Sequence, residues 1–319
     1  MNTAAAQPVG AALAPSPQAA GPVWVHRVAL LCLAAVLCTI TLGAVVTSLE
    51  VGMAYNTWPG YKNLGFFGAS LTAILADGGL GALIEHSHRL VAAVSVIVTV
   101  VVFLATLLVR GAPRSWLLLA FALMLMIGLQ AWIGAQRVLA NERQLAMVHG
   151  IGAQVVFVTL AVLARLSSPA WRRQPRLAAP AGDRLRLWSS AAVAVLGVHL
   201  FAGAGLRHQQ ASLYGHVLLA GVVTAVLLVN VGLVLAHFRA VASLRKAALA
   251  LVSLLGVQLA LGLATWAFKY GPAASAASLE LHAALSSAHV VIGAVVVAVT
   301  ACLALDAWLR LPRGQGAQA

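Results

Sequence analysis

Eight runs of about twenty mostly apolar residues constrain this chain more than anything else, because a run of that length matches the hydrocarbon core of a bilayer. They lie near 27–49, 84–109, 115–135, 144–165, 187–206, 213–237, 246–268 and 284–309. Only 8% of the 319 residues are charged, where soluble domains carry about 25%. The fold class expected is an all-α membrane protein with eight transmembrane helices. The formal net charge of +13 raises nucleic acid as a partner, but its distribution removes that reading. Fourteen of the 20 Lys and Arg residues fall in one set of connections, including Arg172, Arg173 and Arg176. That bias is the positive-inside pattern, and it places both termini in the cytoplasm.

The chain also repeats itself. "GLQAWIG" in the third run and "GVQLALG" in the seventh place Gly128 and Gly256 128 residues apart. "HRLVAAV" and "HVLLAGV" place His88 and His216 the same 128 residues apart, while His149 and His289 differ by 140. This predicts two repeated four-helix bundles, 24–166 and 187–310, joined by a basic cytoplasmic linker at 167–186. The Ala- and Pro-rich segment 1–23 reads as a disordered tail, and 311–319 reads as a C-terminal tail. One feature is not repeated. The outer connection at 50–83 is long, with Trp58, Phe66 and Phe67, whereas its counterpart at 207–212 is short. Cys32, Cys38 and Cys302 all fall inside spans and read as small apolar core residues.

The chain has ten histidines. His88, His149, His216 and His289 each lie four to six residues into an even-numbered run, all of which cross from outside to inside. At about 1.5 Å per residue their rings share one shallow depth. A single histidine near a helix end is an interfacial residue more often than a ligand. Four that obey the repeat supply two pairs of axial imidazoles, which suits heme iron held between facing helices. Zinc or copper would want a tighter cluster with a third ligand. His282 shares a face with His289, seven residues on, and rivals it as a ligand. His199 falls in the fifth run, where it lines the second cavity. His86 points away from His88, His208 sits in the short outer loop, and His26 and His237 lie on the cytoplasmic side.

Glu85 precedes His88 by three residues and Arg89 by four, so all three share a helix face. Two readings stay open: an ion pair trimming a helix end, or a carboxylate over the edge of a cofactor bound by His88. By the 128-residue offset, the second half has Leu213 and Val217 in place of Glu85 and Arg89.

With "EHSHR", the two G-x-Q-x-x-x-G runs, "VHG" at His149, the second histidine pair and "GAVVTSLEVGMAYNTWP" after the first run, the chain resembles the heme A synthase family across residues 24–310. The resemblance implies oxidation of the C8 methyl of heme O to the formyl group of heme A, by two successive hydroxylations. It implies that His88 and His149 hold the substrate heme and that His216 and His289 ligate a heme b cofactor. It further implies that Glu85 is the catalytic carboxylate and that Arg89 pairs with a heme propionate or with Glu85. The implied partners are a heme O synthase and cytochrome oxidase assembly proteins, in the inner membrane of a bacterium. A homo-oligomer is compatible. The chain departs from the family pattern in lacking a cysteine pair in the first outer loop and in carrying Thr57 before Trp58. A di-heme b-type electron-transfer protein, such as a quinol-linked reductase, is the alternative. A heme-free transporter is a third reading, against which stand intact spans nearly free of midplane charge.

Overall fold

The computed structural model describes residues 12–13, 22–174, 176–177, 181–271, 273–274 and 278–311. Most of the tail read as disordered, and 312–319, lie outside the described residues. Among the described residues, eight helices are long and apolar enough to cross a membrane: α1 (Val23–Ser48), α2 (Leu71–Leu107), α3 (Arg114–Ala140), α4 (Arg143–Ser167), α6 (Gly182–Arg207), α7 (Leu213–His237), α8 (Ala242–Lys269) and α9 (Leu279–Arg310). A one-turn helix, α5 (Pro169–Arg172), follows α4. Two two-residue strands, β1 (Ala12–Leu13) and β2 (Arg176–Leu177), pair antiparallel. The multi-pass membrane architecture expected from the apolar runs is what the chain adopts.

Serine hydroxyls start several of these helices. Ser70 accepts from the Ala73 N–H, Ser212 from that of Gly215, and Ser278 from that of Leu281, each satisfying a donor the helix leaves unpaired. Asn141, in a left-handed conformation at φ 51°, ends α3 and turns the chain into α4 within two residues.

Several helices start earlier than the sequence reading, α1 at Val23, α6 at Gly182 and α8 at Ala242 among them. The outer connection at 50–83 is not all loop, because α2 begins at Leu71. Gly78 and Gly79 fall within this helix. Gly79 takes a positive φ of 72°, a conformation open to glycine, and bends a helix that continues on both sides. At the other end of the chain, α9 begins at Leu279, not near 284. Helix starts therefore give no common origin from which to count the depth of the four histidines.

Among the described residues, buried apolar side chains form two large clusters and a small one of Tyr61, Ile74 and Ala82. One large cluster gathers α1, α3 and α4 around Trp116, Leu123, Leu160 and Leu163. The other gathers α6, α7 and α8 around Leu185, Leu227, Phe238 and Leu251. Helix α9 supplies Ala294 and Ala298 to the first and Val296, Leu303 and Ala307 to the second, so it forms the seam. Cys32 is buried in the first cluster and Cys302 is partly buried against it, whereas Cys38 is exposed, which corrects its reading as a core residue.

Candidate functional site

Each of the four matched histidines rests on a glycine of the helix before it. A Cβ added at Gly43 of α1 would lie 2.9 Å from Cε1 of His88 on α2. The same construction gives 3.1 Å from Gly134 to His149, 3.2 Å from Gly203 to His216 and 3.1 Å from Gly262 to His289. These separations are tighter than real Cβ contacts tolerate without movement, so a side chain at any of the four positions would push the ring out. Glycine is required here by close approach. Gly134 and Gly262 close the two G-x-Q-x-x-x-G runs and are 128 residues apart. Gly43 and Gly203 are 160 apart and escaped the sequence reading, although "LGAV" and "AGAG" carry a faint similarity.

Hydrogen bonds fix two of these rings. His88 Nδ1 lies 3.1 Å from the Thr39 carbonyl, and His289 Nδ1 lies 3.2 Å from that of Gln258. A carbonyl only accepts, so Nδ1 carries the proton and Nε2 keeps its lone pair, as a metal-bound histidine requires. Gln258 also places Nε2 of its amide 3.3 Å from Nε2 of His289.

In the second half, the rings of His216 and His289 have centroids 6.3 Å apart and planes at 76°. Two imidazole–metal bonds of about 2 Å, with about 1 Å from each nitrogen to its ring centre, span about 6 Å. The spacing therefore suits one metal ion between two imidazoles. His199 stacks on His216 at 4.4 Å and 13°, a third imidazole beside this pair. His282 bonds Ser286 through Nε2 at 3.0 Å. Of the two, His289 is the one with a ring contact to His216 among the described residues.

Glu85 and Arg89 form a buried clamp under the outer loop. Arg89 Nη2 donates to Glu85 Oε1 at 2.5 Å, and the two side chains are 4% and 2% exposed. The other carboxylate oxygen accepts from the Ala54 N–H at 2.9 Å. Arg89 Nη1 donates to the Thr57 carbonyl at 2.6 Å. The guanidinium sits 4.2 Å from the Tyr55 ring centre and 5.3 Å from that of Trp58, within cation–π reach. Beside it, the Tyr55 hydroxyl and His86 Nδ1 are 3.1 Å apart, and His86 is fully buried. Burial pushes the Tyr55 phenol up to about 12, against the opposing pull of Arg89, so it stays neutral. The loop thus packs on the first half. In the second half, Val217 is 57% exposed at the position of Arg89, and no comparable loop covers it.

Two arginines that sequence reasoning counted only as outer charges take defined places. Arg137 Nη2 donates to the Gly52 carbonyl at 3.2 Å, binding α3 to the loop. Its signal was present: it follows Gly134 by three residues, so it shares the helix face that receives His149. Arg207, at the end of α6, donates to the Ala44 carbonyl at 2.6 Å and to Ser48 Oγ at 2.8 Å. It ties the second half to α1, and no sequence signal marked it. The remaining histidines are peripheral. His26 Nδ1 bonds the Ala164 carbonyl at 2.9 Å, while His208 caps α6 and His237 ends α7.

Comparison with known proteins bears on this site. Residues 67–217 match the family model described as cytochrome oxidase assembly protein. That stretch holds Glu85, His88, Arg89, His149 and His216, but not His289. The heme A synthase of Symbiobacterium thermophilum is 29% identical over 188 residues, which cover 56% of this chain and 58% of that protein. The heme A synthase of a Caulobacter species is 31% identical over 144 residues, covering 43% of this chain and 40% of that one. The chain thus matches 58% and 40% of the lengths of these curated relatives.

Proposed function

We propose that this chain, kin to the heme A synthase family by motif and by alignment, oxidises the C8 methyl of heme O to the formyl group of heme A. The observation that carries the reading is the set of four glycine-seated histidines, accompanied by a buried Glu85–Arg89 clamp in one half alone. Two glycine-seated imidazole pairs would supply two heme sites. The unrepeated acidic group separates a reacting site from an inert one.

His216 and His289 would hold heme b, which supplies one-electron transfer when bound. The Gln258 carbonyl keeps His289 in the tautomer that ligates. His88 and His149 would hold the substrate heme, with Thr39 fixing His88 in the same way. Glu85 is the acid group one helical turn from His88. Both of its oxygens already accept hydrogen bonds, one from Arg89 and one from Ala54. That favours a fixed negative charge facing positive charge developed on the substrate, over a freely exchanging proton acceptor. The loop over Glu85 closes the first half from the outside and excludes water. A bacterial cytoplasmic membrane location, and supply by a heme O synthase for oxidase assembly, follow from the same reading.

The clamp also lends something to a second reading, a di-heme b-type electron-transfer protein, because an ion pair that only anchors a loop needs no chemistry. Coexpression with a heme O synthase, followed by pigment extraction, separates the two. Heme synthesis predicts heme A in the extract, with heme O or a hydroxylated heme accumulating in Glu85→Gln. Electron transfer predicts heme b alone and no effect of that substitution. Heme b should be lost from His216→Ala and His289→Ala and kept by His282→Ala.

A further inference from the structure

We propose that the seam between the two halves binds one anionic phospholipid, in a cavity at the end of the bundle where α1 begins and α9 finishes. The cavity measures about 590 Å³ and is bounded by α1, α4, α8 and α9, with Ser168 and Gln174 at its edge. It is a wedge: α1 belongs to one half and α8 to the other, and α4 and α9 form the floor between them.

Its polarity is graded along the helix axes. Leu30, Leu33, Phe157, Val295 and Val299 line the inner part. His26, Arg165 and Lys246 line the mouth. His26 is the fourth residue of α1 and Lys246 the fifth of α8, while Arg165 is third from the end of α4. All three therefore sit within about two turns of a helix end, at the level of lipid headgroups. Leu33 lies seven residues below His26, or about 10 Å deeper. An acyl chain would lie along these walls with its headgroup at the mouth.

Charge selects the headgroup. Asp306 is the carboxylate lining the cavity, and it is 1% exposed. It accepts from Nε of Arg165 at 3.2 Å, from Nη2 of the same guanidinium, and from the Trp171 indole at 2.5 Å. Arg165 and Asp306 thus balance each other inside the wall. Lys246 is exposed and has no ion-pair partner among the described residues, which leaves the mouth one positive charge in excess. His26 spends its one N–H, at Nδ1, on the Ala164 carbonyl, so Lys246 is the group left to meet a phosphate. Arg27 and Arg245 adjoin His26 and Lys246 in sequence and add to the field. Basic pockets between transmembrane helices recognise acidic lipid headgroups by this chemistry. A zwitterionic lipid fills the same apolar wedge but gains little from Lys246.

The test uses the full chain purified in mild detergent. Phosphatidylglycerol, phosphatidylcholine and inorganic phosphate are titrated in turn and read by native mass spectrometry. A phosphatidylglycerol carrying a diazirine on its acyl chain maps the site. Expected is a one-to-one phosphatidylglycerol adduct, weakened about fivefold by Lys246→Gln, the worth of one basic residue beside an acidic headgroup. Leu33→Trp, which fills the wedge, should weaken it with Lys246 intact. Cross-links should fall in peptides of α1, α4 or α9 that contain Leu33, Phe157 or Val299. Equal binding of phosphatidylcholine, indifference to both substitutions, or cross-links outside α1, α4, α8 and α9 would overturn the proposal. Displacement of the lipid by equimolar inorganic phosphate would overturn it too, reducing the mouth to a simple anion site. Lys246 is exposed and unpaired, so its loss leaves the fold intact, as an unchanged circular dichroism melt will show.

Discussion

Arg89 and Glu85 meet at 2.5 Å beneath the outer loop, the two side chains 4% and 2% exposed. An i,i+4 pair on an exposed helix surface contributes a few tenths of a kcal/mol. Here each charge is out of water, so removing one partner strands the other. Arg89→Ala or Glu85→Ala should therefore cost about 3–5 kcal/mol, lower the melting temperature in detergent and expose residues 50–70 to protease. Exchanging both for their second-half counterparts, Glu85→Leu with Arg89→Val, should recover much of the stability and none of the heme A. Recovery of heme A by that double variant would remove Glu85 from the chemistry.

The glycine seats give a sharper contrast. Gly43→Ala and Gly203→Ala place a methyl 2.9 Å and 3.2 Å from the Cε1 atoms of His88 and His216. Each should cost about 1–3 kcal/mol, as overpacking does, and Gly203→Ala should also reduce bound heme b. Gly128 and Gly256 have nothing within 4 Å of an added Cβ. Alanine there should be neutral or stabilise by about 0.5–1 kcal/mol. Heme absorbance per protein, with melting temperature, checks all four. Equal effects at the two kinds of glycine would mean that the histidines are not seated as described.

Arg207 reaches across the seam to Ala44 and Ser48, and Ser48 Oγ is in turn 3.2 Å from Ser287 Oγ. Hydrogen bonds from a charged donor are worth about 1.5–3 kcal/mol each. Arg207→Gln should lower the melting temperature and loosen the halves, seen as faster hydrogen exchange at the outer ends of α1 and α6. Exchange unchanged at α1 would show that the tie is not stabilising.

His208, just past α6, is held down to about 4, mainly by burial and then by the charges of Arg207, Arg137 and Arg143. The unfolded chain binds that proton at about pH 6.5. Between these values the unfolded state holds more protons, so stability falls as pH drops from about 6.5 towards 4 and is complete above that window. His208→Gln should flatten this share of the slope in melting temperatures taken from pH 7.5 to 4.5. A slope identical to wild type would contradict the assignment.

Much of this was legible in one dimension. A span is recognised by the length of an apolar run, which needs no partner, and all eight spans were found that way. The register of His88 with His216, and of Gly134 with Gly262, is likewise a matter of counting along the chain. Element ends fared worse: the second span was expected from 84, whereas α2 starts at Leu71 and runs through Gly79 with a bend.

What folding alone decided is which distant groups meet. His282 and His289 share a helix face seven residues apart, so no pattern could separate them. The seat on Gly262 and the 6.3 Å approach to His216 distinguish His289. The sequence allowed Glu85 and Arg89 to pair, but only the loop laid over them makes that pair buried, because desolvation depends on what covers a group and not on its neighbours in the chain. Arg207 carried no pattern at all: its partners on α1 lie 159 to 163 residues away. The apolar pattern determined by itself that this chain enters a membrane and how often it crosses. The packing of helices across the seam decided where its charges and imidazoles end up, since those positions follow from contacts between segments that no local rule connects.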